Sequence, residues 1–247
     1  FTNKLPEATS VHWHGLAVRN DMDGVPGVTT PEIKAGGTFT YDFVVPDAGT
    51  HWFHPHTGLQ LDRGLYAPFV VDDPREKGDY DTEWVLVLDD WTDGVDRSPE
   101  QIYADLRKNT PTNASGSDSG MGMGGMGMGG GMGMGGGMGE MSPDGDIAYP
   151  LHLVNGRGPD TPDVLDAKPG QRVRLRIINA AADTIYTVAL GGHRLTVTHT
   201  DGYPVKPVTT SAIRIGMGER YDAVVTIADG VFPFVAKPSG KTGFARA

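Results

Sequence analysis

Between positions 11 and 91 the chain runs in short stretches rich in Val, Ile, Thr and aromatic residues, punctuated by Gly, Pro and Asp. A strand turns successive side chains to opposite faces, and the inward and outward positions here alternate with that period. The pattern predicts strands at 11–18, 38–45, 51–56, 67–72 and 83–89. A helix is expected at 99–108, because Ser98 can cap it, Pro99 suits its first position and Gln101 completes a capping box. Further strands are expected at 149–154, 172–179, 186–190, 195–200, 211–215 and 221–227. This rhythm is that of antiparallel Greek-key sandwiches, so the expected fold is all-β with two domains, 1–110 and 147–247.

Between them, residues 111–146 read as a linker. Its centre is almost only glycine and methionine, with Met121, Met123, Met126, Met128, Met132, Met134, Met138 and Met141 in one run. Backbone entropy at this glycine density exceeds what burying a few thioethers returns, so no packed core is expected there. Methionine sulfur is a soft ligand that prefers Cu(I), and Met-x-Met spacing on glycine lets several sulfurs converge. The run reads either as a cuprous-ion collector or as low-complexity sequence tolerated in a linker.

Composition narrows the function. A formal charge of −10 argues against nucleic acid or an anionic membrane surface as the main partner. The chain has no cysteine, which rules out disulfides, thiolate metal sites and cysteine nucleophiles within it. No apolar stretch is long enough to span a bilayer as a helix. Phe1 is not an initiator, and the opening Phe-Thr-Asn-Lys-Leu-Pro reads as the end of a strand, so further sequence is expected upstream.

Two His-x-His pairs carry the chemistry. His12-Trp13-His14 and His54-Pro55-His56 each place two imidazoles at i and i+2, the spacing that aims both to one side of a strand. Four such nitrogens make a metal site, and the lack of cysteine or of a carboxylate completing a facial triad favours copper or zinc. His51, three residues before His54, is expected to point elsewhere, and His152, His193 and His199 share no spacing and read as ordinary hydrogen-bonded histidines.

The segments Leu5-Pro6-Glu7-Ala8-Thr9-Ser10-Val11-His12-Trp13-His14-Gly15-Leu16, Gly49-Thr50-His51-Trp52-Phe53-His54-Pro55-His56-Thr57-Gly58 and Arg63-Gly64-Leu65-Tyr66-Ala67-Pro68-Phe69-Val70-Val71 closely resemble the first domain of multicopper oxidases such as laccases. The segments Val154-Asn155-Gly156, 169–179, Asp201-Gly202-Tyr203-Pro204-Val205 and Gly218-Glu219-Arg220-Tyr221-Asp222 are similar to that family's middle, copper-free domain. The resemblance implies two cupredoxin-like sandwiches from a longer three-domain polypeptide, truncated at both ends and lacking a C-terminal cupredoxin domain. It implies His12 as a ligand of a type 2 copper, His14 and His54 as ligands of one type 3 copper, and His56 as a ligand of the other. Asp23, in Met22-Asp23-Gly24, reads either as a turn residue or, by the resemblance, as an acid assisting proton delivery to reduced oxygen.

The activity implied is an extracytoplasmic oxidase. It would couple one-electron oxidation of phenols, aromatic amines or Cu(I) to four-electron reduction of O2 to water. The type 1 copper that accepts those electrons needs a cysteine thiolate, so this chain would supply half of a three-copper cluster and no electron entry site. A non-catalytic copper-sequestering protein is the alternative from a different class.

Overall fold

His12-Trp13-His14 forms the first strand, β1 (His12–His14), and Gly15, at φ +83°, ends it in a left-handed turn far shorter than the expected 11–18. The computed structural model describes residues 1–76, 78–109 and 147–247, so the methionine run and its expected lack of a packed core lie outside the described residues. Strand β1 pairs antiparallel with β2 (Gly49–His54), which pairs with β3 (Ala67–Val71). These make a three-stranded sheet in the order β1-β2-β3. The expected strand at 38–45 alternates, with Phe39, Tyr41 and Phe43 half-buried, but among the described residues it joins no sheet beyond a bridge from Thr38 to Thr2. Alternation records burial on one face and does not by itself supply a ladder partner.

The next strand, β4 (Thr82–Trp91), leaves that sheet altogether. It runs parallel to β6 (Arg172–Asn179) and antiparallel to β5 (Leu151–Val154). The remaining strands of this sheet are β8 (Leu195–Thr200), β9 (Tyr203–Thr210) and β11 (Arg220–Thr226), giving the order β5-β4-β6-β11-β8-β9. Against it lies a four-stranded sheet, β10-β7-β12-β13, formed by β7 (Tyr186–Leu190), β10 (Ile213–Ile215), β12 (Phe234–Pro238) and β13 (Ala245–Arg246). Leu86 and Leu88 of β4 enter the core of this sandwich beside Leu175, Ile177, Tyr186, Leu195, Ile215 and Phe234. Residues 83–89, assigned from sequence to the first unit, therefore serve the second sheet.

Strand β9, which carries Pro204 and Pro207, is not among the expected strands. It is an edge strand, where a missing backbone donor is tolerated. The helix α1 (Pro99–Asn109) starts where expected, and its capping box is reciprocal: Gln101 N donates to Ser98 Oγ and Ser98 N donates to Gln101 Oε1, at 3.3 and 2.8 Å.

The first sheet docks on the second through two kinds of contact. Trp52 packs with Val87, Ile178 and Ala180 in a small apolar cluster. Beside it, Asp222 of β11, 1% exposed, accepts from Thr50 Oγ1 at 2.7 Å, Arg174 Nη2 at 2.6 Å and Arg176 Nη1 at 3.3 Å. Both arginines are 2% exposed, and their other nitrogens reach Glu76 and Glu83.

Candidate metal centre

The register of β1 on β2 places His12 opposite His54 and His14 opposite Trp52, with Trp13 and Phe53 on the reverse face. Trp13 is gripped there by Tyr41, Phe43, Phe53 and Phe69, at ring separations of 5.4 to 5.6 Å. This aromatic cluster fixes the face of β1, and so turns His12 and His14 together towards β2. One ring nitrogen from each of His12, His14 and His54 then lies within 4.8 Å of the others. His56, just past the end of β2, does not join that triad. Its ring packs edge-on against His12 at 4.8 Å and beside His54 at 5.2 Å, and its backbone N–H is held by Ser10 Oγ at 2.8 Å. The sequence placed the four histidines together, and the structure does so as three converging nitrogens with one ring alongside.

Hydrogen bonds select which nitrogens face inward. His12 Nδ1–H donates to the Asp23 carbonyl at 2.8 Å, and His54 Nδ1–H donates to the Pro55 carbonyl at 3.0 Å, leaving Nε2 of each as the lone-pair atom. His14 turns its other nitrogen inward: its Nδ1 stands 3.2 Å from His54 Nε2. Two ligands of one metal at bond lengths of about 2.0–2.1 Å and a tetrahedral angle would stand about 3.3 Å apart. The pair thus has the spacing of two nitrogens sharing an ion. Trp52, 3% exposed, lines the pair, stacked on His54 at 4.4 Å and tilted against His14 at 4.8 Å.

Burial pushes the His14 imidazole down to about 3, helped by the Arg220 guanidinium and the neighbouring rings. Burial likewise pushes His54 down to about 4, against the Pro55 carbonyl that favours its charged form, and lowers His56. Neutral imidazole is the metal-binding form, so these rings are ready to ligate at neutral pH.

The same shifts tie stability to pH. An unfolded histidine takes up its proton near 6.5, whereas folded His14 resists until about 3. The folded metal-free protein therefore loses stability as pH falls from 6.5 towards 3. Buried carboxylates such as Asp89, raised by burial, act in the opposite sense, so the comparison must be internal. Unfolding of the parent chain at pH 5 is expected to take up about one more proton than unfolding of a His14→Gln variant. Equal pH slopes of melting for the two proteins would contradict this.

Asp23 lies at the end of a short 3-10 turn, Asn20–Met22, and its Oδ1 is 3.4 Å from His12 Nδ1. Both its carbonyl and its carboxylate thus address His12, and the carboxylate favours the charged form of His56. The other histidines are apart from the centre. His152 bonds Tyr186 Oη and the Thr242 carbonyl, His193 bonds the Gly191 carbonyl and the Ala228 N–H, and His199 bonds Thr198. His51 is fully buried on the opposite face of β2 from His54, against Gly202.

The sequence reading missed Trp52, Gly218 and Arg220 as neighbours of the centre. The latter two come from the second sandwich, and no spacing links them to the His-x-His pairs.

Two family models, both described as multicopper oxidase, match residues 1–76 and 82–247. The chain belongs to the multicopper oxidase family. It is 55% identical to multicopper oxidase MmcO of Mycobacterium tuberculosis, over 100% of this chain and 47% of that protein. It is 35% identical to copper resistance protein A of Escherichia coli, over 99% of this chain and 42% of the relative. Among solved structures it resembles the multi-copper oxidase of Pseudomonas thermotolerans, with TM-score 0.73, 27% identity, and 100% and 51% of the two chains covered. The laccase of Botrytis aclada gives TM-score 0.72 and 28% identity, over 99% and 44%. The chain thus spans about half the length of the relatives it matches. The fold is the cupredoxin-like one of this family. Copper is the family's metal, and the imidazole donor set, free of thiolate, fits it.

Proposed function

We propose that the chain is the oxygen-reducing side of an extracytoplasmic oxidase, coupling one-electron oxidation of phenols, aromatic amines or Cu(I) to four-electron reduction of O2 to water. The observation that carries this reading is the convergence of His12, His14 and His54, with His56 alongside. His12 would hold a type 2 copper, His14 and His54 one type 3 copper, and His56 the other. Bound copper would supply the electrons to dioxygen and avoid release of partly reduced oxygen. The chain's own contribution is to hold the four imidazoles on and beside paired strands, with the tautomers of His12 and His54 set by the Asp23 and Pro55 carbonyls. Asp23, a quarter exposed and next to His12, would pass protons from solvent to the centre. The remaining ligands and the electron entry site would come from a further cupredoxin domain, and 147–247 would be copper-free.

The test is oxygen consumption by the full natural polypeptide loaded with copper, with Cu(I) and with a phenol as reductant. Turnover with either supports the oxidase reading. Stoichiometric copper binding without oxygen uptake would instead favour copper sequestration, the reading to which the absence of cysteine from this chain points. Met121, Met123, Met126, Met128, Met132, Met134, Met138 and Met141 would collect Cu(I) as substrate. Deleting 115–142 should raise the KM for Cu(I) and leave phenol oxidation equal or faster. Unchanged cuprous kinetics would remove that role.

A further inference from the structure

Of the inward-facing nitrogens among His12, His14 and His54, His14 alone presents Nδ1, with the His54 ring and Trp52 of β2 beside it. A further constraint on this ring comes from the second sandwich. Gly218, at φ +78°, comes so close to the ring that a Cβ there would stand 2.9 Å from His14 Cε1 and 3.1 Å from Nε2. The glycine backbone therefore lies along the Cε1–Nε2 edge and leaves Nδ1 directed at His54. A positive φ at this point favours glycine for a second reason, since a side chain is strained there whatever the space.

Gly218 is itself held by Arg220, which is 4% exposed. The guanidinium donates from Nη1 to the Gly218 carbonyl at 3.0 Å, from Nε to the Thr50 carbonyl at 3.2 Å and from Nη2 to the Asp201 carbonyl at 3.0 Å. It also lies directly under Gly15, where any Cβ would overlap it. One planar fork thus ties the turn against His14, the strand carrying His54 and the end of the strand carrying His14. A lysine has the charge but not the fixed fork that meets three carbonyls at once.

We propose that Gly218 and Arg220 are positioning residues of the metal centre, which lock the His14 ring so that Nδ1, and not Nε2, is presented to the ion shared with His54. The second sandwich is then part of the centre's construction and not only a spacer. This rests on the reading of His14 as a copper ligand.

The experiment uses the full natural polypeptide, labelled with 15N-histidine and loaded anaerobically with Cu(I), which is diamagnetic. Long-range 1H–15N correlations report which nitrogen of each ring is coordinated and which carries hydrogen. In the parent protein His14 should show coordinated Nδ1 and protonated Nε2. Failure there would sink the ligand reading itself, separately from the positioning role.

In Gly218→Ala and Arg220→Met the Nδ1 signature of His14 should weaken or pass to Nε2. Copper affinity should fall about tenfold or more, the range seen when support of a metal ligand is lost, while His152 and His193 keep their parent resonances. Arg220→Lys should behave like Arg220→Met. Where an Arg220 variant does not fold, Gly218→Ala decides. A folded Gly218→Ala protein with coordinated Nδ1 and parent affinity overturns the proposal. So does an affinity loss that only follows a loss of folded protein with the His14 pattern unchanged.

Discussion

His54→Ala is expected to remove copper from the paired site and to abolish oxygen reduction by the full polypeptide. His54 contributes the Nε2 that stands 3.2 Å from His14 Nδ1, and its tautomer is set by the Pro55 carbonyl. Loss of a mere supporting partner of a metal ligand costs about 10- to 100-fold in affinity. Loss of the ligand itself should therefore exceed about 100-fold, because the remaining nitrogens cannot close the gap it leaves. Trp52 loses its stacking partner but stays packed on Ile178 and Val87, so the fold should survive. Copper stoichiometry by mass spectrometry under native conditions and circular dichroism would check both halves of this statement. His193→Gln is the control, since that ring bonds the Gly191 carbonyl and the Ala228 N–H, away from the centre. Equal copper content in His54→Ala and the control would refute the assignment of His54.

Asp222→Ala is expected to have the largest effect on stability. Among the described residues its carboxylate is the one acid that both Arg174 and Arg176 reach, and all three side chains are 2% exposed or less. Glu76 and Glu83 compensate the outer nitrogens of the two arginines, but the inner ones would face a cavity without a counter-charge. Removing one member of such a buried set costs about 3–5 kcal/mol, because the surviving charges remain desolvated. Against a typical total of about 5–15 kcal/mol this is a large fraction, and for a chain of this size it lowers Tm by roughly 6–20 °C. Thr50 Oγ1 also donates to Asp222, so the loss loosens the first sheet from the second. Asp222→Asn keeps the shape and should be milder. Replacing Asp222, Arg174 and Arg176 together by apolar residues of similar volume should recover most of the stability, as buried ion sets often allow. A Tm for Asp222→Ala within about 2 °C of the parent would show that the network carries little stability.

Much of this was readable in one dimension. Strands β6, β7 and β8 fall where the apolar and β-branched runs place them, and α1 begins at its capping box, because side-chain period and local hydrogen bonds are sequence-local properties. The gathering of the histidines was equally legible, since a spacing of two residues on a strand fixes the side to which the His12 and His14 rings both turn.

What only the tertiary structure decided involves partners distant in sequence. Residues 38–45 alternate like a strand yet find no ladder, β4 crosses to the second sheet, and β9 forms despite two prolines because it lies on an edge. A strand's period records burial but not which backbone will meet it. The same limit holds at the metal centre. The sequence supplies imidazoles, but a ring has two nitrogens, and the one that faces inward is chosen by a carbonyl at Asp23, another at Pro55 and, for His14, a glycine and an arginine some two hundred residues along the chain.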